Sequence, residues 1–258
     1  MKIQVLLSCM HQVDHTIVKR TNIQTDAVVI NQCDRNEITT YQFSNKLNQI
    51  CNVIFVSTIE RGLSKSRNMA LKYATGDICI ICDDDEILCD NYEEIISNVF
   101  QNNKIDFATL VINKKNRIYP NKKFCINKIR ALTMSSYQIC FRLKSIIDKG
   151  IRFNERFGSG VSKAGGEENL FLFSCLKSGL HGMYYPISFG EMIESESQWW
   201  KGFTKEYFYD HAILSKALWG RVIGLCYIVY TLFDKYPMYK NDISFYKAFK
   251  AYLKGYLS

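Results

Sequence analysis

The sequence predicts an α/β protein with a mostly parallel central sheet flanked by helices and with a helical C-terminal extension. In the first half of the chain, short apolar runs alternate with helix-like stretches, which is the order that parallel βαβ crossovers produce. Hydrophobic residues make up 47% of the 258 residues and aromatic residues 14%, enough to bury a large core. No repeat or linker-like segment divides the chain, so we expect one large domain with an appended helical segment.

Five apolar runs in the first half have the length and the β-branched content of buried strands. They are IQVLLS (3–8), DAVVIN (26–31), NVIFVS (52–57), DICIIC (77–82) and DFATLVI (106–112). A sixth run, YQICFRL (137–143), is also strand-like. It follows the basic, turn-rich segment NKKNRIYPNKKF (113–124), which predicts a loop or a hairpin.

Apolar residues at helical spacing predict helices between and after these strands. The first such helix lies within GLSKSRNMALKYATGD (62–77), and Gly76 ends it. Further helices are predicted for NYEEIISNVFQNN (91–103), LKSIIDKG (143–150) and EENLFLFSCLKSG (167–179). Beyond about residue 200 the chain is rich in Trp, Tyr and Phe with interspersed Lys, and helices are expected there as well.

The composition describes a basic protein with a net charge of +8 and ten cysteines that lack the spacing of a secreted scaffold. The apolar run in the first twelve residues is too short for a signal peptide, so we expect buried, reduced thiols and a cytoplasmic location. Cys79 and Cys82 form a CxxC pair, but residues three apart in a strand face opposite sides and do not grip one metal. A zinc or redox site is therefore not expected.

The C-terminal segment 201–258 combines basic and aromatic residues. Its uncharged run from Val222 to Phe233 would span only roughly 18 Å as a helix, short of the roughly 30 Å hydrocarbon core, so no transmembrane helix is expected. Two alternatives stay open for these helices: contact with an anionic membrane surface, or packing against the main domain with the lysines in water. Nucleic-acid binding is not expected, because the positive charge is not gathered into a recognised module.

Four acidic residues, Asp83 to Glu86, directly follow the predicted fourth strand. Ligands of open parallel sheets bind at the carboxyl ends of the strands, where such carboxylates repel one another unless a cation neutralises them. Asp83 and Asp85, spaced two apart, would reach one hard divalent ion. The alternative is an acidic turn that feeds a solvated helix N-terminus, where acidic side chains are favourable.

The segment 52–86 resembles the donor-binding half of GT-A glycosyltransferases of family 2, of the bacterial polysaccharide type. In that family a Gly-Leu-Ser-x-x-Arg-Asn helix, an Ala-x-Gly-Asp turn and an apolar strand lead into an Asp-x-Asp motif. Each piece occurs in order in NVIFVSTIERGLSKSRNMALKYATGDICIICDDDE. GEENL (166–170) is similar to the family's later Glu-Asp motif, and FNERFGSG (153–160) matches its usual lead-in.

The resemblance covers about residues 1–200 and implies a GT-A catalytic domain there. Nucleotide-sugar binding is expected in about 1–112, the acceptor part in about 113–200, and the helical extension in 201–258. The implied activity is inverting transfer of a sugar from a nucleotide-sugar, by analogy a UDP-sugar, to a hydroxyl of a saccharide or lipid-linked saccharide in polysaccharide biosynthesis. The implied location is the cytoplasm or the inner face of the cell membrane.

On the donor side, the resemblance implies Mn²⁺ or Mg²⁺ held by Asp85, with Asp83 assisting through the ribose or the metal and Asp84 beside them. Such an ion stabilises the charge that develops on the departing diphosphate. Lys65 and Arg67 would add cationic contacts to the diphosphate or the base; otherwise they are two solvated charges on a helix face.

Nucleobase and ribose binding is expected at the ends of the first two strands, at Ser8 and at Asn31 and Gln32. The family more often has an acidic pair at the second position, so which residue contacts the base stays open. An amide side chain pairs with a uracil edge as both donor and acceptor. The alternative is an ordinary polar turn at a strand end.

On the acceptor side, one carboxylate of Glu167 and Glu168 is expected to take the proton from the attacking hydroxyl. Glu168 stands where the family usually has Asp, so it is the first choice, and Glu167 is the alternative. The alternative is that both are simply acidic side chains in the first turn of a helix, where they interact favourably with the helix dipole. A single displacement with a base and no covalent nucleophile predicts inversion.

Trp199 and Trp200 would stack on an acceptor sugar or pack at a domain edge, and the Gly-rich segment 158–166 is expected to be a loop near the acceptor. Two other functions fit the sequence less well. A sugar nucleotidyltransferase needs a Gly-rich, basic loop after the first strand, which SCMHQ (8–12) lacks. A non-catalytic nucleotide- or sugar-binding protein is disfavoured by the acidic motifs at both expected places.

Overall fold

The computed structural model describes residues 1–101, 104–161, 165–193 and 202–258. A ten-stranded sheet lies at its centre, in the order β3-β4-β2-β1-β5-β9-β7-β10-β6, with β8 paired to β10. The strands are β1 (Ile3–Met10), β2 (Asp26–Gln32), β3 (Glu37–Ser44), β4 (Ile50–Thr58), β5 (Ile78–Asp83), β6 (Glu86–Leu88), β7 (Phe107–Asn113), β8 (Phe124–Cys125), β9 (Ile139–Arg142) and β10 (Gly182–Met192).

Helices flank this sheet and form the C-terminal extension, as the sequence predicts. They are α1 (Ile17–Arg20), α2 (Leu63–Tyr73), α3 (Tyr92–Gln101), α4 (Lys128–Ala131), α5 (Leu143–Asp148), α6 (Glu167–Lys177), α7 (Lys205–Asp234), α8 (Tyr236–Tyr239) and α9 (Phe245–Leu257). A 3₁₀ turn at Ser136–Gln138 precedes β9. The predicted α/β fold is confirmed.

Four adjacent strands, β4, β2, β1 and β5, run parallel, and their apolar runs are buried on both faces. Separate hydrophobic clusters cover the two faces. Cys79 belongs to one cluster and Cys82 to the other, so the two thiols lie on opposite sides of β5. All ten cysteines are free thiols. The expectation that this CxxC pair does not bind one metal agrees with that geometry.

The sequence does not predict four of the described strands, β3, β6, β8 and β10, and the first and last of these show why. β3 pairs antiparallel with β4 at the edge of the sheet, and its side chains alternate between exposed and half-buried. β3 therefore lacks the continuous apolar run that identifies a buried strand, and its many polar residues resemble those of a loop. β10 pairs in parallel with β7, but its register shifts between Tyr184 and Gly190, which breaks any simple period.

The longest helix, α7, is folded back on itself at Gly220, whose φ of 77° and ψ of −174° are not helical. Lys235 Nζ donates a hydrogen bond to Tyr207 Oη at 3.3 Å although the residues are 28 apart. A straight helix would separate them by about 42 Å. α7 thus consists of two antiparallel arms, residues 205–219 and 221–234.

By length and composition, α7 is the one described helix that could cross a membrane. Its fold-back removes that possibility for a continuous span, because each arm is only about 22 Å long and the hydrocarbon core is roughly 30 Å thick. The expectation of no transmembrane helix agrees with this hairpin. α9 packs against both arms: Tyr252 Oη lies 3.0 Å from His211 Nδ1 and 3.1 Å from Thr231 Oγ1.

The extension is anchored on the main domain through its first arm. Leu214 and Leu218 belong to the same hydrophobic cluster as α6, and the Trp219 ring meets the Phe173 ring edge-on at 4.9 Å. Gly166, the residue before α6, has no room for a Cβ because the side chain of Leu214 occupies that space. The beginning of α6 is therefore positioned partly by the C-terminal helices.

Candidate active site at the carboxyl edge of the sheet

The carboxyl ends of four parallel strands bring the predicted donor residues to one edge of the sheet. Ser8 of β1 lies opposite Ile30 of β2 on one side and Asp83 of β5 on the other. Asn31 lies opposite Ser57 of β4. Open parallel sheets bind ligands at this edge. The acidic turn and the two predicted nucleotide-binding strand ends therefore share one crevice.

Asn31 and Gln32 are buried and hold the loops that line this edge. The Asn31 amide accepts a hydrogen bond from Gln12 N and donates to Gln12 O, both at 2.9 Å, so it fixes the loop after β1. Gln32 Oε1 accepts a hydrogen bond from Gly62 N at 2.7 Å, just before α2. Contact between these two residues and a nucleobase stays a prediction. In this structure their side-chain amides hold the backbone of Gln12 and Gly62.

Ser8 and Arg61 connect further parts of the same edge. Ser66 Oγ of α2 donates to Ser8 Oγ at 2.8 Å. Arg61, whose role the sequence does not predict, donates to Cys33 O at 2.9 Å and to Asp34 Oδ1 at 2.6 Å. It ties the loop after β2 to the loop after β4. Its place directly before Gly62, where the motif begins, is the signal that could have identified it.

Arg67 is fully buried, so the alternative of a solvated charge on a helix face is wrong for this residue. Its Nη2 donates to both Asp83 oxygens at 3.0 and 3.1 Å, and its Nη1 donates to Glu167 Oε1 at 2.9 Å. The guanidinium carbon lies 5.5 Å from the centre of the Phe153 ring. Burial opposes the charge, but Asp83 and Glu167 outweigh it and hold the pKa of Arg67 above its usual value.

This arrangement joins the two acidic motifs of the predicted site. A buried charge is costly unless it is paired, and a planar guanidinium can pair with two carboxylates at once. Contact between Arg67 and a diphosphate would require it to leave these partners. Its role in this structure is to fix Asp83 relative to the start of α6.

Two neighbours of Arg67 on α2 hold the segment that precedes the second acidic motif. Asn68 donates to Phe153 O and accepts from Phe153 N, both at 2.9 Å, and also donates to Glu155 Oε1 at 2.9 Å. Ser64 Oγ donates to Phe157 O at 2.8 Å. The Ser, Arg and Asn of the α2 motif therefore all reach the region 153–167, about 100 residues further along the chain.

The acidic turn is followed by β6 and not directly by a helix, so the alternative of a turn that feeds a solvated helix N-terminus is wrong. Glu86 points inward, is fully buried, and accepts a hydrogen bond from Asp83 N at 2.9 Å. Burial and then the neighbouring Asp83 raise the pKa of Asp84. Burial, Asp83 and Asp84 raise the pKa of Asp85, while Lys114 lowers it.

The donor set of this turn fits a hard divalent cation. Carboxylate oxygens are the ligands such ions prefer, and the mutual repulsion of Asp84 and Asp85 with Asp83 is what a cation would relieve. Asp83 is already neutralised by Arg67, which leaves Asp85 as the less committed ligand. Within the described ranges, no group of three or more His, Cys, Asp or Glu is arranged to hold a metal ion. Protein ligands would therefore be few, with diphosphate and water completing the shell.

Glu167 and Glu168 begin α6 but have different surroundings. Glu167 is buried and accepts from Arg67, whereas Glu168 is half-buried. Burial first, and then the neighbouring Glu167, raise the pKa of Glu168 well above its ordinary value. Its carboxylate is therefore a stronger base than that of an ordinary glutamate. The described hydrogen bonds of the Arg67 guanidinium go to Glu167 and Asp83 and not to Glu168.

Other predicted residues lie less centrally or outside the described ranges. Lys65 is partly exposed, and among the described residues its ammonium has no hydrogen bond or ion pair, so it is available to an anion. Trp199 and Trp200 fall within 194–201, outside the described residues. So do residues 162–164 of the predicted Gly-rich loop; its first residues follow Phe157, where Ser159 O accepts from Leu63 N.

Comparison with known proteins agrees with this geometry. The sequence matches the model described as glycosyl transferase family 2 over residues 4–164. A search of curated proteins finds no protein that matches this sequence. The fold is similar to that of S. aureus TarS 1–349 in complex with UDP-GlcNAc, with a TM-score of 0.67 at 14% identity over 99% of this chain and 79% of that chain.

A second solved structure gives the same result. The mannosyltransferase PcManGT from Pyrobaculum calidifontis, in complex with GDP-Man and Mn²⁺, has a TM-score of 0.56 at 12% identity over 97% of this chain and 73% of that chain. At such identities the similarity shows the fold. The expected GT-A architecture, including the helical C-terminal part, is thereby confirmed.

Proposed function

Since the chain belongs to glycosyl transferase family 2, we propose that it is an inverting, metal-dependent transferase of the GT-A type. It would move a sugar, a hexose carried by UDP, to a hydroxyl of a saccharide or lipid-linked saccharide in polysaccharide biosynthesis. The observation that carries the proposal is the Arg67 bridge, because it holds an acidic donor-side residue and the acidic start of α6 around one crevice.

On the donor side, Asp85 would hold Mn²⁺ or Mg²⁺, with Asp83 assisting at the metal or the ribose. The ion would supply Lewis-acid stabilisation of the departing diphosphate. Lys65, whose ammonium is not engaged with described residues, would bind the diphosphate. The complexes of the two similar proteins, with UDP-GlcNAc and with GDP-Man and Mn²⁺, support a nucleotide-sugar donor and a divalent ion.

On the acceptor side, Glu168 would act as the general base. The acceptor oxygen forms a bond to the anomeric carbon while the bond from that carbon to the diphosphate breaks and its electron pair leaves with the nucleotide. The proton of the acceptor hydroxyl passes to the Glu168 carboxylate. One displacement from the face opposite the leaving group inverts the anomeric centre. Glu167 is committed to Arg67, which supports Glu168 as the base.

The cellular setting is part of the same proposal. We place the enzyme in the cytoplasm, where nucleotide-sugars and reduced thiols coexist; all ten cysteines are free. A lipid-linked acceptor would bring it to the inner face of the cell membrane.

The direct test is a screen of UDP-sugars for hydrolysis and transfer, with and without Mn²⁺ or Mg²⁺. We expect cation-dependent release of UDP that is lost in Asp85→Asn and kept in Asp148→Asn, a matched change in an exposed ion pair. The anomeric configuration of the product, read by NMR, should be opposite to that of the donor. Synthesis of a nucleotide-sugar from a nucleoside triphosphate and a sugar phosphate, without transfer, would overturn the proposal in favour of a nucleotidyltransferase.

A further inference from the structure

The second arm of α7 has apolar residues on both its buried and its outward faces. No charged residue occurs between Val222 and Phe233. Gly224, Ile228 and Leu232 pack inward, while Val222 is 78% exposed and Phe233 is 63% exposed. An arm that packed only against the rest of the protein would carry polar residues outward. Its outward face is therefore built for contact with something apolar.

α9 has the same property. Ala248, Tyr252 and Gly255 face inward and are buried. Its outward apolar residues are Tyr246, Phe249, Leu253 and Leu257, which are 70, 44, 44 and 74% exposed. Their spacing of three, four and four residues places them on one face of the helix. The outward residues thus form a continuous stripe along α9.

The two outward stripes meet at one end of the extension. The Phe233 ring lies 5.3 Å from the Phe245 ring, and Phe245 lies 5.9 Å from Tyr236, whose ring is partly exposed. Together they form one apolar surface, which comprises Val222, Val229, Phe233, Tyr246, Phe249, Leu253 and Leu257. Exposed contiguous apolar surface of this kind marks an interaction site.

Lysines border this apolar surface along α9. Lys247, Lys250 and Lys254 are exposed, follow helical spacing beside the stripe, and no acidic residue occurs in α9. The segment 201–258 carries nine basic and four acidic residues, so most of the protein's net charge of +8 lies there. The partner of this surface must be apolar at its centre and anionic at its rim.

We propose that this apolar surface docks the protein on a bilayer that contains anionic lipids. Apolar and aromatic side chains enter the boundary between headgroups and acyl chains, and the lysines face the lipid phosphates. A second copy of the chain fits poorly, because α9 against α9 would bring lysines together with no carboxylate on either helix. The hairpin lies on the membrane, since neither arm is long enough to cross it.

The test is sedimentation of the full chain with vesicles of phosphatidylcholine alone or with 30% phosphatidylglycerol. We expect binding only to the anionic vesicles, and weakening by 0.5 M NaCl. Lys247→Gln/Lys250→Gln/Lys254→Gln should bind about a hundredfold more weakly, at about 1 kcal/mol per lysine. The matched variant Lys122→Gln/Lys123→Gln/Lys149→Gln removes three exposed lysines elsewhere and should bind as the unaltered protein does.

A second variant tests the apolar contribution. Val222→Ser/Tyr246→Ser/Leu257→Ser changes three highly exposed residues, so its folding by circular dichroism should be unchanged and its vesicle binding reduced at least tenfold. Equal binding of all variants, or no sedimentation with anionic vesicles, would overturn the proposal. So would a dimer in solution that this variant dissociates. Release of UDP from a soluble donor without vesicles reports the proposed activity separately, so either proposal can fail alone.

Discussion

Arg67 and Glu167 are 100 residues apart in the sequence, and their side chains are joined by a buried hydrogen-bonded ion pair of 2.9 Å. The other terminal nitrogen of the same guanidinium holds Asp83. The donor-side aspartate and the start of α6 are thus positioned by one side chain. In the proposed function, Arg67 thereby fixes the neighbours of the metal ligand Asp85 and of the base Glu168, and so positions the two motifs relative to each other.

The first prediction concerns that guanidinium. Arg67→Met leaves the buried carboxylate of Glu167 and the partly buried carboxylate of Asp83 without their partner, and should lower the free energy of unfolding by about 3–5 kcal/mol. Arg35→Met breaks an exposed pair with Glu37 and should change it by less than about 1 kcal/mol. Urea unfolding measures the free energy of unfolding of both variants. Adding Asp83→Asn and Glu167→Gln to Arg67→Met should restore part of the loss; equal midpoints for the two single variants would contradict the prediction.

The second prediction separates the two glutamates. Glu168→Gln should keep donor binding and stability but lower transfer by about 10²–10⁴-fold, because the base is lost. Glu167→Gln should mainly lower stability, since it removes one partner of Arg67. Single-turnover transfer and isothermal titration with the nucleotide give both readouts, and Glu37→Gln on the exposed edge strand is the control. Full transfer by Glu168→Gln would move the base elsewhere.

The third prediction is a pH dependence. A raised pKa keeps Glu168 protonated to higher pH, and only its carboxylate can accept a proton. Transfer should therefore rise with pH, with an acid limb well above 4.5, the ordinary value for Glu. Glu167→Gln removes a neighbouring negative charge that raises this pKa, so the limb should move to lower pH. A limb that stays in place in that variant would show that Glu168 is not the titrating group.

The fourth prediction concerns the packing of the C-terminal hairpin on α6. Gly165 and Gly166 both have positive φ, of 65° and 88°, but a Cβ at Gly166 would overlap Leu214, whereas one at Gly165 would meet no atom of the described residues. Gly166→Ala should therefore be about 1–3 kcal/mol less stable than Gly165→Ala in thermal or urea unfolding. Leu214→Ala should relieve part of that difference in the double variant. Equal stability of the two alanine variants would show that Leu214 yields without cost.

The fifth prediction concerns acid stability. Burial, with Lys235 adding to it, lowers the pKa of His211 from 6.5 to about 3. The unfolded chain then binds the proton that the folded chain excludes, so this histidine costs stability as pH falls below 6.5, by about 2 kcal/mol at pH 5. His211→Gln should remove that part of the pH dependence, and His181→Gln, at an exposed position, should not. If the free energy of unfolding depends on pH identically in both variants, His211 is not the cause of the acid sensitivity.

The sequence by itself determined the parallel strands, their flanking helices and the two acidic motifs, because each depends on a local pattern. A run such as IQVLLS is buried on both faces wherever it pairs, and an acidic turn after such a strand must lie at the sheet edge. The broken helix at Gly220 and the edge strand β3 were not predicted. Their form depends on what packs beside them: the second arm in one case and only one neighbouring strand in the other.

Only the tertiary structure decided what Arg67 and Asn31 do. A lysine or arginine on a helix is solvated or buried according to what lies over it, and Arg67 is covered by a segment about 100 residues away. The side-chain amide of Asn31 likewise forms its hydrogen bonds with the backbone of Gln12. Sequence spacing states which groups can reach one another along a single element. A guanidinium must pair with carboxylates when it is removed from water, and that removal occurs only in the folded chain. The sequence therefore does not show which distant carboxylates share Arg67.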